Sequence, residues 1–136
     1  MHYDIHKVGG ILIRDRKLLV EKSFNKDFYL APGGKVEVGE TPIKALVREL
    51  HEEFGILVAP KDIEEFGTFY ADAAGQDSKT IRMDVFMVNQ WQGEPQPNSE
   101  VEIVRWINSD EAQTLAVGSV IAHEIIPRLK QQNIID

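Results

Sequence analysis

Arg48-Glu49-Leu50-His51-Glu52-Glu53-Phe54-Gly55-Ile56, with the turn Pro32-Gly33-Gly34 ahead of it, is the stretch that decides the fold. Read as a helix, it sets Glu49 beside Glu52 at i+3 and Glu53 at i+4, and like charges at those spacings repel. The three also crowd the turns before Gly55, where the helix dipole favours cations. Arg48 reaches Glu52 only in the weaker orientation, and none of the three glutamates has a basic residue four positions on. A segment that breaks local rules in this way marks a functional site. Three carboxylates on one helix face supply hard oxygen ligands for a hard divalent cation.

Outward from this stretch, the helix has clear ends. Thr41 is a good N-cap and Pro42 suits the first helical position. The helix is expected to run to about Phe54, where Gly55 suits a left-handed stop. Ile43, Leu46, Val47, Leu50 and Phe54 recur at helical spacing and form its buried stripe. At about 100° per residue, the glutamates occupy a separate arc facing away from that stripe. One face therefore anchors the helix and another presents the acids.

Counted from Gly34, the chain reads Gly34, five residues, Glu40, seven residues, Arg48-Glu49-Leu50, one residue, Glu52-Glu53, one residue, Gly55-Ile56. This resembles the Nudix box, Gx5Ex7REUxEExGU with U a bulky aliphatic residue, and every specified position matches. Pro32-Gly33 before the box also looks like the family, as does Glu100 six residues ahead of Trp106. The resemblance implies an α/β fold, the Nudix-type α/β/α sandwich with a mixed β-sheet, and a metal-dependent hydrolase of nucleoside diphosphates linked to some moiety X. A solvated acidic face would explain the glutamates alone, but not the whole box.

The resemblance also implies roles. Glu49 is expected to bind metal and to share base duty, while Glu52 and Glu53 take metal directly or through water. The carbonyl of Gly34 resembles a family metal contact, and Mg²⁺, with Mn²⁺ as the alternative, is the implied cofactor. Arg48 would orient Glu49 and Glu52. Glu40, at the positive end of the helix dipole, would hold the turn against the helix. Glu37 is either an outer partner or simply exposed. A distal carboxylate is expected from Glu100, with Glu94 and Glu102 as rivals.

Lys35 beside Gly34, and less strongly Lys22 or Arg82, would contact phosphate. Tyr29 and Phe28 are candidates to stack on a base, although short aromatic segments are more often core. His2, His6, His51 and His123 form no ligand spacing and are read as structural or exposed.

Composition bounds the rest. The 136 residues are expected to form one domain large enough for a real core. Hydrophobic content of 43% and charged content of 27% are ordinary for a globular protein. A formal charge of −7 argues against a nucleic-acid polymer as partner, but not against a small phosphorylated molecule, since a metal supplies positive charge locally. The chain has no Cys, which excludes disulfides and thiol chemistry and fits a cytoplasmic location. No signal-peptide pattern or membrane-length apolar run is present, so no membrane partner is expected. Monomer and homodimer both stay open.

Strands are expected at Val8–Ile13, Lys17–Glu21, Ile63–Ala71, Thr80–Gln90 and Val101–Ile107, with a brief one at Lys35–Val38. Lys26–Ala31 is short and aromatic. A turn is expected at 73–77 and a loop at 93–99. Helices are expected at Asp110–Leu115 and Ser119–Lys130, the latter disturbed by Pro127.

Compact length favours a MutT-like nucleoside triphosphate pyrophosphohydrolase that releases the monophosphate and pyrophosphate. Dinucleoside polyphosphates, nucleotide sugars and ADP-ribose are alternative substrates. The markers of the ADP-ribose, NADH and coenzyme A enzymes are missing, and Tyr70 falls short of the tyrosine of dinucleoside-polyphosphate enzymes. A non-catalytic Nudix-fold nucleotide-binding module is a further alternative, disfavoured because such modules usually have degraded boxes.

Overall fold

A computed structural model describes residues 2–72 and 79–136. The turn expected at 73–77 lies outside the described residues. Among the described residues seven strands and three α-helices follow in the order β1 (Ile5–Ile11), β2 (Ile13–Arg14), β3 (Lys17–Ser23), β4 (Gly33–Lys35), α1 (Pro42–Phe54), β5 (Ile63–Asp72), β6 (Thr80–Val88), β7 (Val101–Ile107), α2 (Ser109–Thr114) and α3 (Ile126–Gln131). A 3-10 turn at Pro60–Asp62 leads into β5, and a π-helical stretch at Ile121–Ile125 leads into α3.

Two sheets form the centre. In one, the order is β4-β1-β6-β5; in the other, β2-β3-β7. β1 runs parallel to β6 and antiparallel to β4, which makes the first sheet mixed. Its faces are covered differently. Val8, Leu12, Leu19, Phe86 and Val88 pack under α1 through Leu46, Leu50 and Phe54. Ile11, Leu18, Val20 and Val85 pack on the other side against Ile121, Ile125 and Leu129. This is the expected α/β/α layering, and it arises because successive strand residues point to opposite faces. Among the described residues no helix is long and apolar enough to cross a membrane.

The structure differs from the expected elements in instructive places. The brief strand falls at Gly33–Lys35, not Lys35–Val38, because it pairs with Lys7, Val8 and Gly9 of β1. Val38 is fully exposed beyond it. Within 26–31 only isolated bridges form, Leu30 to Glu21 and Tyr29 to Val117. Pro127 does not break the last helix. The turns ahead of it widen, so that the Ile126 N–H donates to the Ile121 carbonyl five residues back. Such π-bulges absorb local irregularity inside α-helices. α2 starts earlier than expected, because Asn108 and Glu111 close a capping box.

Candidate active site

Helix α1 carries the site, and its ends follow from its sequence. The Thr41 hydroxyl accepts from the Lys44 N–H at 3.2 Å, and Pro42 occupies the first turn. At the far end Gly55 takes φ 71°, its N–H donates to the His51 carbonyl at 3.0 Å, and the helix stops. Ala45, Leu46, Leu50 and Phe54 are fully buried beneath it. Burial of one such leucine is worth about 2 kcal/mol, so the helix face carrying the acids is held by the opposite face.

Arg48 organises the acids. Its guanidinium binds Glu40 in a fork, Nε to Oε2 at 2.7 Å and Nη2 to Oε1 at 2.9 Å. Nη1 donates to Glu49 at 2.8 Å and to Glu52 at 3.3 Å. Nη2 also donates to the Lys35 carbonyl at 3.0 Å, which ties the glycine turn to the helix. Bidentate pairing of this kind fixes orientation as well as adding energy. The Arg48 fork and the Glu37 N–H hold the Glu40 carboxyl down at about 2. Glu37 itself is exposed, and its carboxylate comes no nearer to Arg48 than 3.8 Å.

Gly34 has a specific reason to be glycine. A Cβ there would lie 2.5 Å from the Glu49 carboxyl carbon and 2.6 Å from one of its oxygens. The bare main chain thus lets a buried carboxylate rest against it. At Gly33, φ 153° together with the Val8 carbonyl excludes a side chain altogether.

Glu49 is 8% exposed and Glu53 is partly buried one turn on. Burial first, and then the Glu49 charge, pushes Glu53 up to about 8. Glu21 and Glu100 act on Glu53 in the same direction. Four carboxylates therefore share one electrostatic neighbourhood. Among the three rivals for the distal position, Glu100 is the one drawn into it. Glu94 is held by Arg14 at 2.6 and 2.9 Å, and Glu102 is paired with Lys22.

Glu21 was not expected. It is 5% exposed, and burial raises its carboxyl to about 7 against a weak opposing bond from Ser23. Its signal in the sequence is an acid directly after the apolar run Leu18-Leu19-Val20, within a strand. An acid that finishes a buried strand needs a partner or a purpose.

A cavity of about 160 Å³ opens beside the carboxylates. Gly33, Gly34, Lys35 and Glu21 line its charged side, while Ile81, Met83, Ile121 and Phe28 line its apolar side. The expected substrate contacts divide accordingly. Lys35 lines the cavity. Lys22 does not: its ammonium is taken by Glu102 and by the Lys26 carbonyl at 3.1 Å. Tyr29 is not on the wall either. It is buried in the core under Arg105, and the alternation of the chain turns Phe28 toward the cavity instead. Arg82 is engaged by buried Asp84 at 3.3 Å. His6 donates to or accepts from that same Asp84 at 2.6 Å, and Thr68 donates to it at 2.7 Å. Burial alone would raise Asp84, but the His6 and Thr68 bonds outweigh it and hold the carboxyl low. His6 is thus structural, as expected.

The donor set fits a hard divalent cation. Glu49, Glu52, Glu53 and the Gly34 carbonyl offer oxygen only, and the negative charge exceeds what Arg48 neutralises. Among the described residues no three acidic or imidazole side chains already stand at the spacing that encloses an ion. Glu49 is tied back to Arg48.

A layered α/β domain with a glutamate-bearing helix behind a glycine turn is the architecture these observations define. The NUDIX domain family matches residues 5–129, and the chain belongs to that family. Nudix hydrolases are divalent-metal dependent. The chain is 44% identical to the 8-oxo-dGTP diphosphatase of Haemophilus influenzae over 64 residues, 47% of this chain and 43% of that one. With the 8-oxo-dGTP diphosphatase of Escherichia coli it shares 36% identity over 85 residues, 59% of this chain and 61% of that one. The matches thus span less than two thirds of either relative. The solution structure of the E. coli ORF135 protein superposes with a TM-score of 0.76 and 27% identity, covering 97% of this chain and 94% of that one.

Proposed function

We propose that this protein is a pyrophosphohydrolase of nucleoside triphosphates, using Mg²⁺ or Mn²⁺ and releasing the nucleoside monophosphate and pyrophosphate. One observation carries the reading. The buried Glu49 carboxylate rests against the bare main chain of Gly34, which lines a half-apolar cavity, and Glu53, Glu21 and Glu100 share its electrostatic neighbourhood. The similarity to two proteins named 8-oxo-dGTP diphosphatase supports a nucleoside triphosphate as substrate.

The chain's own residues would act as follows. Glu49, Glu52, Glu53 and the Gly34 carbonyl would hold the cation, which supplies charge neutralisation on the phosphates and acidifies bound water. Arg48 keeps Glu49 and Glu52 in one orientation, so little side-chain freedom is lost when substrate binds. Glu21, which lines the cavity and is raised to about 7 by burial, is a group able to take up a proton from an attacking water. The apolar side of the cavity, with Phe28 and Met83, would receive the base and exclude bulk water.

The test is product analysis. A panel of nucleoside triphosphates, each incubated with Mg²⁺ and resolved chromatographically, should yield monophosphate and pyrophosphate. Diphosphate and orthophosphate as products, or no turnover of any member, would overturn the proposal. In the latter case a nucleotide-binding module would be the better reading.

A further inference from the structure

Strands β1 and β4 place Lys7 directly opposite Lys35. Like charges directly opposite one another in an antiparallel pair are destabilising. A third lysine adds to the conflict. Lys26, in the loop after β3, lines the same cavity as Lys7 and Lys35 and lies 5.6 Å from the ring centroid of Phe28. Among the described residues none of the three takes part in a salt bridge, which is equally true of Lys17, Lys44, Lys61 and Lys130; what sets these three apart is that they line one cavity. In a chain of net charge −7, carboxylates are not scarce. Three amines converge on one cavity whose wall carries two carboxylates, Glu21 and Asp72, and none of the three is taken up in an ion pair.

Lys7 lines the cavity together with Ile5 and Ile81 and is half-buried there. Burial, and next the charges of Lys26 and Lys35, hold that ammonium below its usual range. Glu21 and Glu49 act on it more weakly in the opposite sense, which places it between the amines and the acid cluster. Three lysines on the wall of one cavity, next to Gly34 and the Glu49 carboxylate, fit a ligand that is itself a polyanion. Neither a neutral sugar nor a base answers to that charge pattern.

We propose that Lys7, Lys26 and Lys35 form the subsite for the phosphate chain, so that the protein selects its substrates by the number of phosphates they carry. This rests on the hydrolase reading above and deepens it, since it names the oligophosphate as the recognised group. Each lysine acts as a mobile point charge on phosphate oxygens, the usual way an ammonium binds phosphate. Base preference then becomes secondary, because the apolar side of the cavity offers few polar readers.

The test separates phosphate binding from hydrolysis. Isothermal titration in EDTA at low salt, where no turnover occurs, would compare inorganic triphosphate with the mono- and triphosphate of one nucleoside. The parent protein should bind both triphosphates and bind the monophosphate far more weakly. Lys7→Gln and Lys26→Gln should each weaken triphosphate binding about tenfold, with little change for the monophosphate, and Lys7→Arg should retain most of the affinity. Melting temperature controls for folding: Lys7→Gln should melt no lower than the parent, because a repulsion is removed, and Lys26→Gln lies in a loop. No binding of inorganic triphosphate by the parent at millimolar concentration would overturn the subsite. So would an equal loss for mono- and triphosphate, which would assign Lys7 to the nucleoside. A protein that shows the tenfold effects yet turns over no nucleotide would refute the hydrolase reading and leave the subsite standing.

Discussion

Glu53→Gln should stabilise the metal-free protein while abolishing most of its activity. The carboxyl of Glu53 rises from an ordinary 4.5 to about 8 because it is partly buried beside Glu49. A raised carboxyl favours folding fully below the unfolded value, and that contribution is lost as pH climbs through the folded value. Metal-free stability therefore falls between about pH 4.5 and pH 8. For an isolated group with this shift, linkage gives a cost of roughly 3 kcal/mol at pH 7 and below about 1 kcal/mol at pH 5. Sharing of the charge with Glu49, and screening by solvent, reduce the pH 7 figure to about 1–2 kcal/mol. Glutamine keeps the shape and removes the charge, so the variant should melt about 4–8 °C higher than the parent at pH 7. At pH 5 the two should nearly coincide. Calorimetric melts in EDTA at pH 5, 7 and 8 measure this directly. A variant that melts at or below the parent at pH 8, or that gains as much at pH 5 as at pH 8, would refute the argument that the folded protein opposes ionisation of Glu53.

Three further outcomes are expected. Millimolar Mg²⁺ should raise the melting temperature of the parent, by about 2.7 kcal/mol of stability at a hundred times its Kd, and the rise should shrink in Glu52→Gln and Glu53→Gln, both of which should lose at least about a hundredfold in activity; an unchanged rise would remove that residue from the metal site. Arg48→Met should lower activity about 10–100-fold and stability by about 2 kcal/mol, because Glu40, Glu49 and the Lys35 carbonyl lose their shared donor; steady-state rates and melts with wild-type values would show that Arg48 positions nothing. Gly34→Ala should keep its fold by far-ultraviolet circular dichroism but lose about a hundredfold in activity, because its Cβ would displace the Glu49 carboxylate from 2.5 Å; undiminished turnover would mean that Glu49 need not touch this turn.

Helix α1 was legible from the chain itself. Its cap and its glycine stop are local signals that fall where the pattern indicates; of the expected stripe Leu46, Leu50 and Phe54 are buried, Ile43 and Val47 only partly so, and Glu49 is buried as well because it rests against the glycine turn. The conflict among Glu49, Glu52 and Glu53 was equally local, since helical geometry alone brings i, i+3 and i+4 together. The alternation that marks β5, β6 and β7 comes from the same short range.

What needed the tertiary structure was every contact made across strands. Glu21 belongs with Glu53 only because β3 passes near the end of α1, some thirty residues later in sequence. Lys7 meets Lys35 only through the register of β1 on β4, and a shift of one residue would turn Lys7 to the opposite face. Phe28 and Tyr29 are adjacent aromatics of similar size, and the backbone direction between two isolated bridges decides which one lines the cavity and which one fills the core. Arg82 looked available for phosphate until Asp84, two residues on, folded inward with His6 and Thr68. Periodicity reports which face a residue takes within its own element. Pairing register and strand order decide what that face meets, and those depend on the whole chain closing at once.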